Sequence, residues 1–274
     1  MITFKNVTKK RGRMYLDIPS LTLESGRLIL IVGGNGNGKT TLIKLLSGGL
    51  TPDQGSISIE NQSMQTYVAQ HGISYVPSTF PFSPSISLWK LGQVGYSLIP
   101  TWDSKVYKDQ LKQLGLEDTN RVDEISKGQK NMCMFNVVMQ QSTEILLLDE
   151  PTLGLDGHHR DVMIATIQDF LINPQHTAIV ATNALEHFEA ISDEVILISK
   201  GKCIIHDSIE AIKDRYQLVY KHDVKASIPD KAIVSISESE NFLIDTHIYS
   251  QERIQRLSLI HILKALVDAH ESLS

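Results

Sequence analysis

The feature that most constrains this chain is a glycine-rich stretch, GGNGNGKT, at residues 33–40. An apolar run at 28–32 precedes it, and residues 41–46 have the pattern of a helix start. The stretch matches G-x-x-x-x-G-K-[ST] in full, the pattern of a loop whose backbone N–H groups point at phosphate oxygens. A glycine-rich turn can also be merely structural, but the strand before it and the helix after it favour a phosphate site. We therefore predict that this loop binds a nucleotide.

Individual positions of the loop have distinct expected roles. Lys39 is expected to reach the outer phosphates, and the hydroxyl of Thr40 is expected to ligate Mg²⁺. The glycines let the backbone N–H groups turn inward. The other predicted nucleotide contacts in this stretch are Gly33, Gly34, Asn35, Gly36, Asn37, Gly38 and Thr41.

A second stretch, EILLLDEP at 144–151, supplies the carboxylates that a nucleoside triphosphatase needs. Asp149 would hold Mg²⁺ through water, and Glu150 would polarise the attacking water. An acidic strand end is a common structural feature when it occurs alone. Together with the loop at 33–40, it predicts Mg²⁺-dependent ATP hydrolysis.

The composition limits which partners and which cellular compartment are expected. The chain has 26 basic and 31 acidic residues, a net charge of −5, and no dense Lys/Arg run, so nucleic acid is not an expected partner. Cys133 and Cys203 form no CxxC pair, which suits two buried thiols in a reducing compartment. The N-terminus lacks the apolar core of a signal peptide, and no apolar stretch approaches the ~20 residues that cross a bilayer. We therefore expect a cytoplasmic protein whose membrane association comes through a partner.

The apolar pattern predicts an α/β fold with a parallel sheet. A helix predicted over 159–172 separates two apolar runs, which implies βαβ crossovers. A hairpin predicted over 195–205 would close the sheet. Strands are predicted at 2–7, 21–23, 28–32, 55–60, 73–76, 145–148 and 178–181.

Between the strands the pattern predicts a helical insert over about 77–142. Its first part, 77–100, is rich in Pro, Ser and aromatic residues without a clean period, which indicates a loop leading into a different subdomain. Helices are expected over 104–114 and from Ser126 to about Gln141. At the other end, residues 206–274 mix helical and strand-like pieces without a recognisable chemical motif, so they form a C-terminal extension of unknown role.

Two further motifs resemble those of the ATP-binding-cassette (ABC) ATPases. ISKGQK, at 125–130, precedes the acidic strand end, and LGLD, at 153–156, follows it. The family's signature motif is usually LSGGQ, and here Lys127 replaces its first glycine. The resemblance covers about residues 1–205 and implies a P-loop NTPase fold with a RecA-like parallel-sheet core, an antiparallel β subdomain and a helical subdomain. The matching signature positions are Ser126, Gly128 and Gln129.

In that family the signature opens a helix whose N-terminus faces the γ-phosphate bound by the opposite subunit. Asp156 matches the D-loop aspartate that helps to couple the two sites. Ser126 is a suitable N-cap, and the positive end of a helix dipole suits an anion. Lys127 either adds a full charge near the phosphate or is a solvated lysine in an ordinary first turn.

Three positions depart from the family's pattern. Ser78 lies where the Q-loop glutamine would follow the strand, and its hydroxyl can still reach Mg²⁺ or its water. Arg11 lies near the position of the adenine-stacking aromatic residue; a guanidinium can stack on a base, and nearby Tyr15 is the alternative. Asn183 occupies the position of the switch histidine, and an amide can hydrogen-bond a γ-phosphate but cannot shuttle a proton. Slow hydrolysis, or pairing with a more active site, would follow.

Three histidines are not expected to act in catalysis. His187 lies four residues after the switch position, in a predicted helix, and is interpreted as a surface or packed residue. His158 and His159 are interpreted as exposed residues at the start of the helix after the D-loop.

The resemblance implies an ATP-binding and ATP-hydrolysing subunit of an ABC transporter. It would form a homo- or heterodimer of ATPase subunits and would bind a separate transmembrane permease subunit on the inner face of the cell membrane. The stretch 77–100 would dock a permease helix, or it is simply the core of the helical subdomain. The Ser-Lys-Gly-Gln signature and the tail resemble bacterial exporter ATPases, which favours export.

Two other functions stay open. A non-transport cassette protein acting on ribosomes or DNA usually has two cassettes with a charged linker, or a long coiled coil, and neither occurs in this sequence. A regulatory nucleotide-binding module that dimerises with ATP but turns over slowly is compatible with Ser78 and Asn183.

Overall fold

A ten-stranded mixed sheet forms the centre of the protein, whose computed structural model describes residues 1–219, 233–236, 242–247 and 258–272. The strand order across this sheet is β5-β4-β1-β2-β10-β9-β3-β8-β7-β6. Its strands are β1 (Ile2–Arg11), β2 (Met14–Leu23), β3 (Leu28–Val32), β4 (Gln54–Ile59), β5 (Gln62–Ser63), β6 (Ser74–Val76), β7 (Ile145–Asp149), β8 (Thr177–Ala181), β9 (Glu194–Ser199) and β10 (Lys202–Ser208).

Helices cover both faces of this sheet. They are α1 (Lys39–Leu46), α2 (Met64–His71), α3 (Leu88–Leu98), α4 (Ser104–Gln113), α5 (Lys127–Met139) and α6 (Gly157–Leu171), with short 3₁₀ turns at Val122–Glu124, Leu185–His187 and Glu189–Ile191. Because β3, β7 and β8 are buried along their whole length, their sequences are continuous apolar runs. The α/β class predicted from the sequence is confirmed, and α3, α4 and α5 lie within the range 77–142 that was predicted to form a helical insert.

The sheet consists of an antiparallel half and a parallel half. Strands β1, β2, β4 and β5 pair antiparallel, whereas β9, β3, β8, β7 and β6 run parallel to one another. The β9–β10 hairpin lies between the halves, and β10 pairs with β2 through Lys202 and Asp17. The prediction that this hairpin closes the sheet was wrong, because the sheet ends at β5 and β6 and the hairpin joins its two halves.

Helix α3 corrects the prediction of a loop over 77–100. Ser87 caps it by accepting a hydrogen bond from the backbone N–H of Lys90. Two glycines obscured the helical pattern, and both let an aromatic ring approach the backbone. A Cβ on Gly92 would lie 2.8 Å from the ring of Tyr107, and one on Gly95 would lie 2.4 Å from the ring of Trp102. Helix α2 was likewise not predicted.

The C-terminal extension contains α7 (Ile209–Arg215), β11 (Tyr216–Val219), β12 (Ile233–Ile236), β13 (Phe242–Asp245) and α8 (Leu259–Ser272). The three strands form a separate sheet in the order β11-β13-β12. Leu259, Ile262 and Leu263 of α8 share one buried core with Leu185 and Leu197 of the preceding part of the chain. The extension therefore packs directly on the parallel half of the large sheet.

Two sequence expectations about the whole chain can be compared with the structure. Among the described residues, no helix combines the length and the apolar character that a bilayer crossing requires. Cys133 is buried, whereas Cys203 is only partly buried, and both are free thiols. Burial raises the pKa of Cys133 to about 12 and that of Cys203 to about 11.

Candidate active site

The glycine-rich loop connects the carboxyl end of β3 to the first turn of α1. Its first glycine has a φ of 152°, and a Cβ there would lie 2.1 Å from the carbonyl oxygen of Ile198, so no other residue fits at Gly33. Gly38 is the N-cap residue of α1 and has a left-handed backbone conformation. Because it is a glycine, no side chain at this position caps the first N–H groups of the helix. The first N–H groups of a helix have no intrahelical partner, so this helix start suits an anion.

Lys39 is buried against the loop that it belongs to. Its Nζ donates hydrogen bonds to the carbonyl oxygen of Gly33 at 2.7 Å and to Oδ1 of Asn183 at 2.8 Å. The Oε1 atom of Glu150 lies 3.9 Å from the same Nζ. Burial lowers the pKa of Lys39, and the nearby carboxylates of Glu150 and Asp149 oppose that shift. An outer phosphate at this position would supply the negative charge that keeps the ammonium protonated.

Thr40 and Asp149 form a pair that fits Mg²⁺. The Thr40 hydroxyl donates a hydrogen bond to Oδ1 of Asp149 at 3.1 Å. Asp149 is 1% exposed, and its Oδ2 has no hydrogen-bond partner among the described residues. A buried carboxylate oxygen without a donor suits a hydrated magnesium ion, which prefers oxygen ligands and retains several waters. Ser78 is half-buried beyond the end of β6, and its predicted contact with the metal stays a prediction.

Glu150 follows directly after β7 in a strained backbone conformation, with φ at 51°. Its backbone N–H donates to the carbonyl oxygen of Ala181, which continues the pairing of β7 with β8. Its Oε2 accepts a hydrogen bond from the backbone N–H of Asn183 at 3.1 Å. The carboxylate is thereby held over the loop, between Lys39 and the segment that follows β8.

Asn183 uses both ends of its amide. While Oδ1 accepts from Lys39, Nδ2 donates to Oδ1 of Asn35 at 2.8 Å. An amide can accept and donate at the same time, so Asn183 satisfies two loop residues in one geometry. The residue is exposed, which leaves it available to a phosphate that enters beside Lys39.

A cavity of about 330 Å³ lies over the loop, within the size range of small-ligand sites. Arg11 and Met14, from the turn between β1 and β2, form one wall, whereas Tyr15 is half-exposed and lies outside the lining. Asn37 also lies outside it: its side chain accepts a hydrogen bond from the N–H of Lys200, and its N–H donates to Gly34. The side chain of Asn37 therefore anchors the β9–β10 turn, and its predicted nucleotide contact stays a prediction. The other lining residues are Asn35, Gly36, Gly38, Lys39, Thr40, Thr41 and Glu150.

The profile of the protein family described as ABC transporter matches residues 16–153, about half of the chain. The chain belongs to this family. Its fold is the ABC cassette, a P-loop NTPase fold with a mixed sheet, and it is the ATP-binding subunit and ATPase of an ABC transporter.

Three relatives are, by name, ATP-binding proteins. The manganese transport system ATP-binding protein MntA of Synechocystis is 29% identical over 206 residues, which are 71% of this chain and 79% of MntA. The Fe(3+) ions import ATP-binding protein FbpC of Escherichia coli is 29% identical over 209 residues, 73% of this chain and 60% of FbpC. The ABC transporter ATP-binding protein YtrB of Bacillus subtilis is 22% identical over 247 residues, 88% of this chain and 85% of YtrB.

A solved structure has the same fold at low sequence identity. It is a dimeric ATP-binding cassette in a post-hydrolysis state, bound to ADP and Pi, with a TM-score of 0.65 and 20% identity. The similarity covers 76% of this chain and 98% of that one.

The signature segment of this ABC ATPase is held by a reciprocal cap. The Ser126 hydroxyl accepts from the N–H of Gln129 at 3.1 Å, and the Gln129 side chain accepts from the N–H of Ser126 at 2.9 Å. Gln129 also donates through Nε2 to the carbonyl oxygen of Leu114. Lys127 follows the cap and is exposed. These side chains therefore fix the start of α5, and they do not line the cavity over the loop of their own chain.

The signature helix of the ABC ATPase packs tightly on the D-loop. A Cβ on Gly128 would lie 2.3 Å from the carbonyl oxygen of Gly154. Asn131, whose residue type gave no hint of this role in the sequence, donates through Nδ2 to the carbonyl oxygen of Leu153 at 2.8 Å. The two motifs that resemble the family are therefore one packed unit.

Asp156 of the D-loop caps α6. It accepts hydrogen bonds from the N–H of His159 at 2.9 Å and from the ring of His159 at 2.8 Å, and these bonds hold the pKa of Asp156 below its usual value. His158 is exposed as expected. The expectation that His159 is also exposed was wrong, because its contact with Asp156 makes it partly buried.

His187 is a packed residue, as the sequence analysis proposed, although it ends a 3₁₀ turn and does not lie within a helix. Its Nδ1 contacts the hydroxyl of Thr152 at 3.0 Å, and its Nε2 lies 3.4 Å from Nη1 of Arg160. His187 thereby links the switch segment to the D-loop region.

Proposed function

We propose that this ABC ATPase hydrolyses Mg²⁺-ATP in the cavity over the glycine-rich loop and thereby drives a separate transmembrane permease. The observation that carries the proposal is the convergence of Lys39, Glu150 and Asn183 beside the Thr40–Asp149 pair. These residues provide a cation for the outer phosphates, a base for water and an oxygen site for a metal.

Each group has one role in the proposed reaction. Thr40 and Asp149 would hold Mg²⁺, which supplies positive charge to the β- and γ-phosphate oxygens. Glu150 takes a proton from water as the water oxygen bonds to the γ-phosphorus, and the bond from that phosphorus to the β-phosphate oxygen breaks. Lys39 stabilises the charge on the outer phosphates, and ADP and phosphate are the products. Before this reaction, when ATP binds, Nδ2 of Asn183 can exchange Asn35 for a γ-phosphate oxygen.

Base recognition and the second subunit complete the proposed site. Arg11 lines the cavity, which supports the proposal that its guanidinium stacks on adenine. Because Ser126, Gly128 and Gln129 lie outside the cavity of their own chain, we propose that they cover the cavity of a second ATPase subunit, in a homo- or heterodimer. Asp156, at the end of the D-loop, would then lie at the contact between subunits.

The docking surface for the permease is proposed on α3. Trp89 and Tyr96 are seven residues apart, so they lie on one helix face, and they are 52% and 68% exposed. Two exposed aromatic residues on one face favour a protein contact over a solvated surface. This contact would hold the subunit at the inner face of the cell membrane.

The proposal also concerns the direction of transport. The Ser-Lys-Gly-Gln signature and the extension favour export, whereas FbpC is an import protein by name, so this relative gives export no support. The match with FbpC covers 73% of this chain, which is about the length of the ABC cassette within it. Comparing the metabolites of cells with and without the chain tests the direction, because cells that lose an exporter retain its cargo and cells that lose an importer are depleted of it.

The substitution Glu150→Gln tests the proposed hydrolysis. It retains the hydrogen bond from the N–H of Asn183 but removes the base, so we expect Mg²⁺-dependent turnover to disappear while ATP binding and an ATP-bound dimer persist. Glu210→Gln, an exposed change on α7, is the control and should behave as the parent chain does. Equal single-turnover rates in Glu150→Gln and the parent would remove Glu150 from the mechanism. A parent chain that binds ATP but shows no single turnover would favour the regulatory module.

A further inference from the structure

Two buried polar atoms near the magnesium pair have no hydrogen-bond partner in the described part of the chain. One is Oδ2 of Asp149, an acceptor, and the other is the hydroxyl of Tyr75, a donor. Buried polar groups are nearly always paired, by protein or by ordered water. A donor and an acceptor that both lack a partner in one region indicate a shared missing partner.

The register of the parallel strands places both residues on one face. Tyr75 of β6 lies beside Leu147 of β7. Side chains alternate along a strand, so Asp149 points to the same face as Leu147, one step further toward the glycine-rich loop. Diagonal neighbours of this kind are within reach of an aromatic side chain. Tyr75 also packs against the core that contains Leu42, near the start of α1.

The electrostatic environment of the tyrosine agrees with this placement. Burial raises the pKa of Tyr75 to about 12, and the carboxylate of Asp149 contributes in the same direction. Arg11, in the wall of the cavity, opposes that shift. The upward direction of the pKa shift agrees with the strand register, which places Tyr75 and Asp149 on one face of the sheet.

Two buried tyrosines of the described part, Tyr67 and Tyr107, behave differently. The hydroxyl of Tyr67 donates to Glu144 at 3.1 Å, and that of Tyr107 donates to the carbonyl oxygen of Leu88 at 2.8 Å. A phenylalanine at 75 would fill the same apolar space without burying an unpaired hydroxyl. The hydroxyl of Tyr75 therefore needs a reason beyond packing.

We propose that Tyr75 is a positioning residue for magnesium, whose hydroxyl holds, together with Asp149, a water of the metal's coordination sphere. This inference rests on the proposed function, because it takes Thr40 and Asp149 as the metal pair. In this proposal Tyr75 contributes a polar group to the metal site from β6, the strand that precedes Ser78. Partners of metal-bound groups typically change metal affinity about 10- to 100-fold when they are removed.

The test measures Mn²⁺ binding to the full chain with saturating ADP, by electron paramagnetic resonance. Tyr75→Phe should raise the dissociation constant of Mn²⁺ about tenfold. Tyr67→Phe is the matched control: it removes a buried hydroxyl from the same core, but this hydroxyl bonds to Glu144, which precedes β7, whereas Asp149 ends that strand, so the constant should stay unchanged. ADP affinity measured with EDTA should be equal in all three proteins.

A second measurement separates positioning from packing. In metal-free buffer, Tyr75→Phe should melt at the same temperature as the parent or higher, because it removes an unpaired hydroxyl. Tyr67→Phe should melt lower, because it breaks a hydrogen bond to Glu144. Unchanged Mn²⁺ affinity in Tyr75→Phe would overturn the role of Tyr75 alone. A parent chain that binds no Mn²⁺ with ADP would overturn the proposed metal pair as well.

Discussion

The ammonium group of Lys39 donates a 2.8 Å hydrogen bond to the side chain of Asn183, on the segment that follows β8. The amide of Asn183 donates in turn to Asn35, so one residue connects the loop's lysine with the loop's third position. An amide at the predicted switch position can therefore hold two loop residues at once. Both of these hydrogen bonds between the loop and the switch segment therefore use one side chain.

Replacement of Asn183 should affect turnover far more than ATP affinity. Asn183→Ala removes the acceptor of Lys39 and a potential donor to the γ-phosphate, and we expect kcat to fall about 100-fold, as when one transition-state donor is lost. Asn183→His should raise kcat if the missing histidine limits the rate. Steady-state ATPase assays with parallel ATP binding measure both variants. An unchanged kcat in Asn183→His, with unaltered ATP affinity, would show that this position does not limit turnover.

Gly128→Ala should separate nucleotide binding from dimer formation. The added methyl group would lie 2.3 Å from the carbonyl oxygen of Gly154, so α5 and the D-loop must move apart. We expect ATP binding by the monomer to persist, whereas ATP-induced dimerisation in a Glu150→Gln background, followed by gel filtration, should be lost.

Gly157→Ala is the control for that experiment. Gly157 begins α6, and the nearest atom to an added Cβ, on the Arg160 side chain, is 3.6 Å away. Alanine also favours helix more than glycine does. Dimerisation of Gly128→Ala at the level of this control would contradict the packing role of the signature glycine.

Tyr96→Asp should weaken permease binding without reducing the basal ATPase rate of the isolated subunit. The change puts a charge on the exposed aromatic face of α3, where it would have to be buried in a contact. Co-purification of the permease from native membranes measures the effect. Ile172→Asp, which changes a residue that is 77% exposed after α6, should co-purify normally. Equal recovery of the permease with both variants would move the docking surface elsewhere.

Arg215→Ala should destabilise the C-terminal extension. Arg215 donates through Nε and Nη2 to Oδ2 of Asp245, whose side chain is 8% exposed. Loss of these donors leaves a buried carboxylate with the N–H of His247 as its remaining donor among the described residues. We expect a loss of about 2 kcal/mol in the free energy of unfolding at neutral pH. Arg121→Ala, which breaks an exposed pair, should cost less than about 0.5 kcal/mol.

The effect of Arg215→Ala should depend on pH. Burial alone would raise the pKa of Asp245, but the hydrogen bonds from Arg215 and from the N–H of His247 outweigh it and leave the pKa below its usual value. A lowered pKa in the folded state gives stability that is complete above the unfolded value of about 4 and is lost as pH falls through the folded value. The difference between parent and variant should therefore shrink in acid. Urea unfolding as a function of pH measures it, and a constant difference down to pH 3 would contradict the ion-pair explanation.

The phosphate site could be predicted from the sequence because its parts are local. A glycine-rich loop, a lysine and a threonine occur within eight consecutive residues, and the strand and helix around them have clear patterns. Asp149 and Glu150 were predictable for the same reason, since they end an apolar run. The resemblance added the signature and D-loop positions, although the role of Gly128 in packing on Gly154 needed the structure.

The other features of the fold and the site could not be predicted from the sequence, because they depend on contacts between segments that are distant along the chain. Helix α3 was not predicted because Gly92 and Gly95 have low helix propensity. Glycine is needed at both positions because the rings of Tyr107 and Trp102 lie too close for a Cβ. The place of Tyr75, diagonal to Asp149, could not be predicted because it follows only from the strand register. The anchor role of Asn37 depends on the β9–β10 turn, which lies more than 160 residues later in the chain.

The join between the two halves of the sheet has a consequence for how a nucleotide is held. Arg11 belongs to the antiparallel half and Lys39 to the parallel half, while β10 and β2 pair only at Lys202 and Asp17, next to a hydrogen bond from Asp17 to Gly201. The backbone ladder is thus narrow at this point, and a buried core that includes Leu16, Ile29 and Leu42 joins the two halves. If Arg11 contacts the base and Lys39 the phosphates, as proposed, a substitution at Arg11 should change affinity for the base and leave the hold on the phosphates intact.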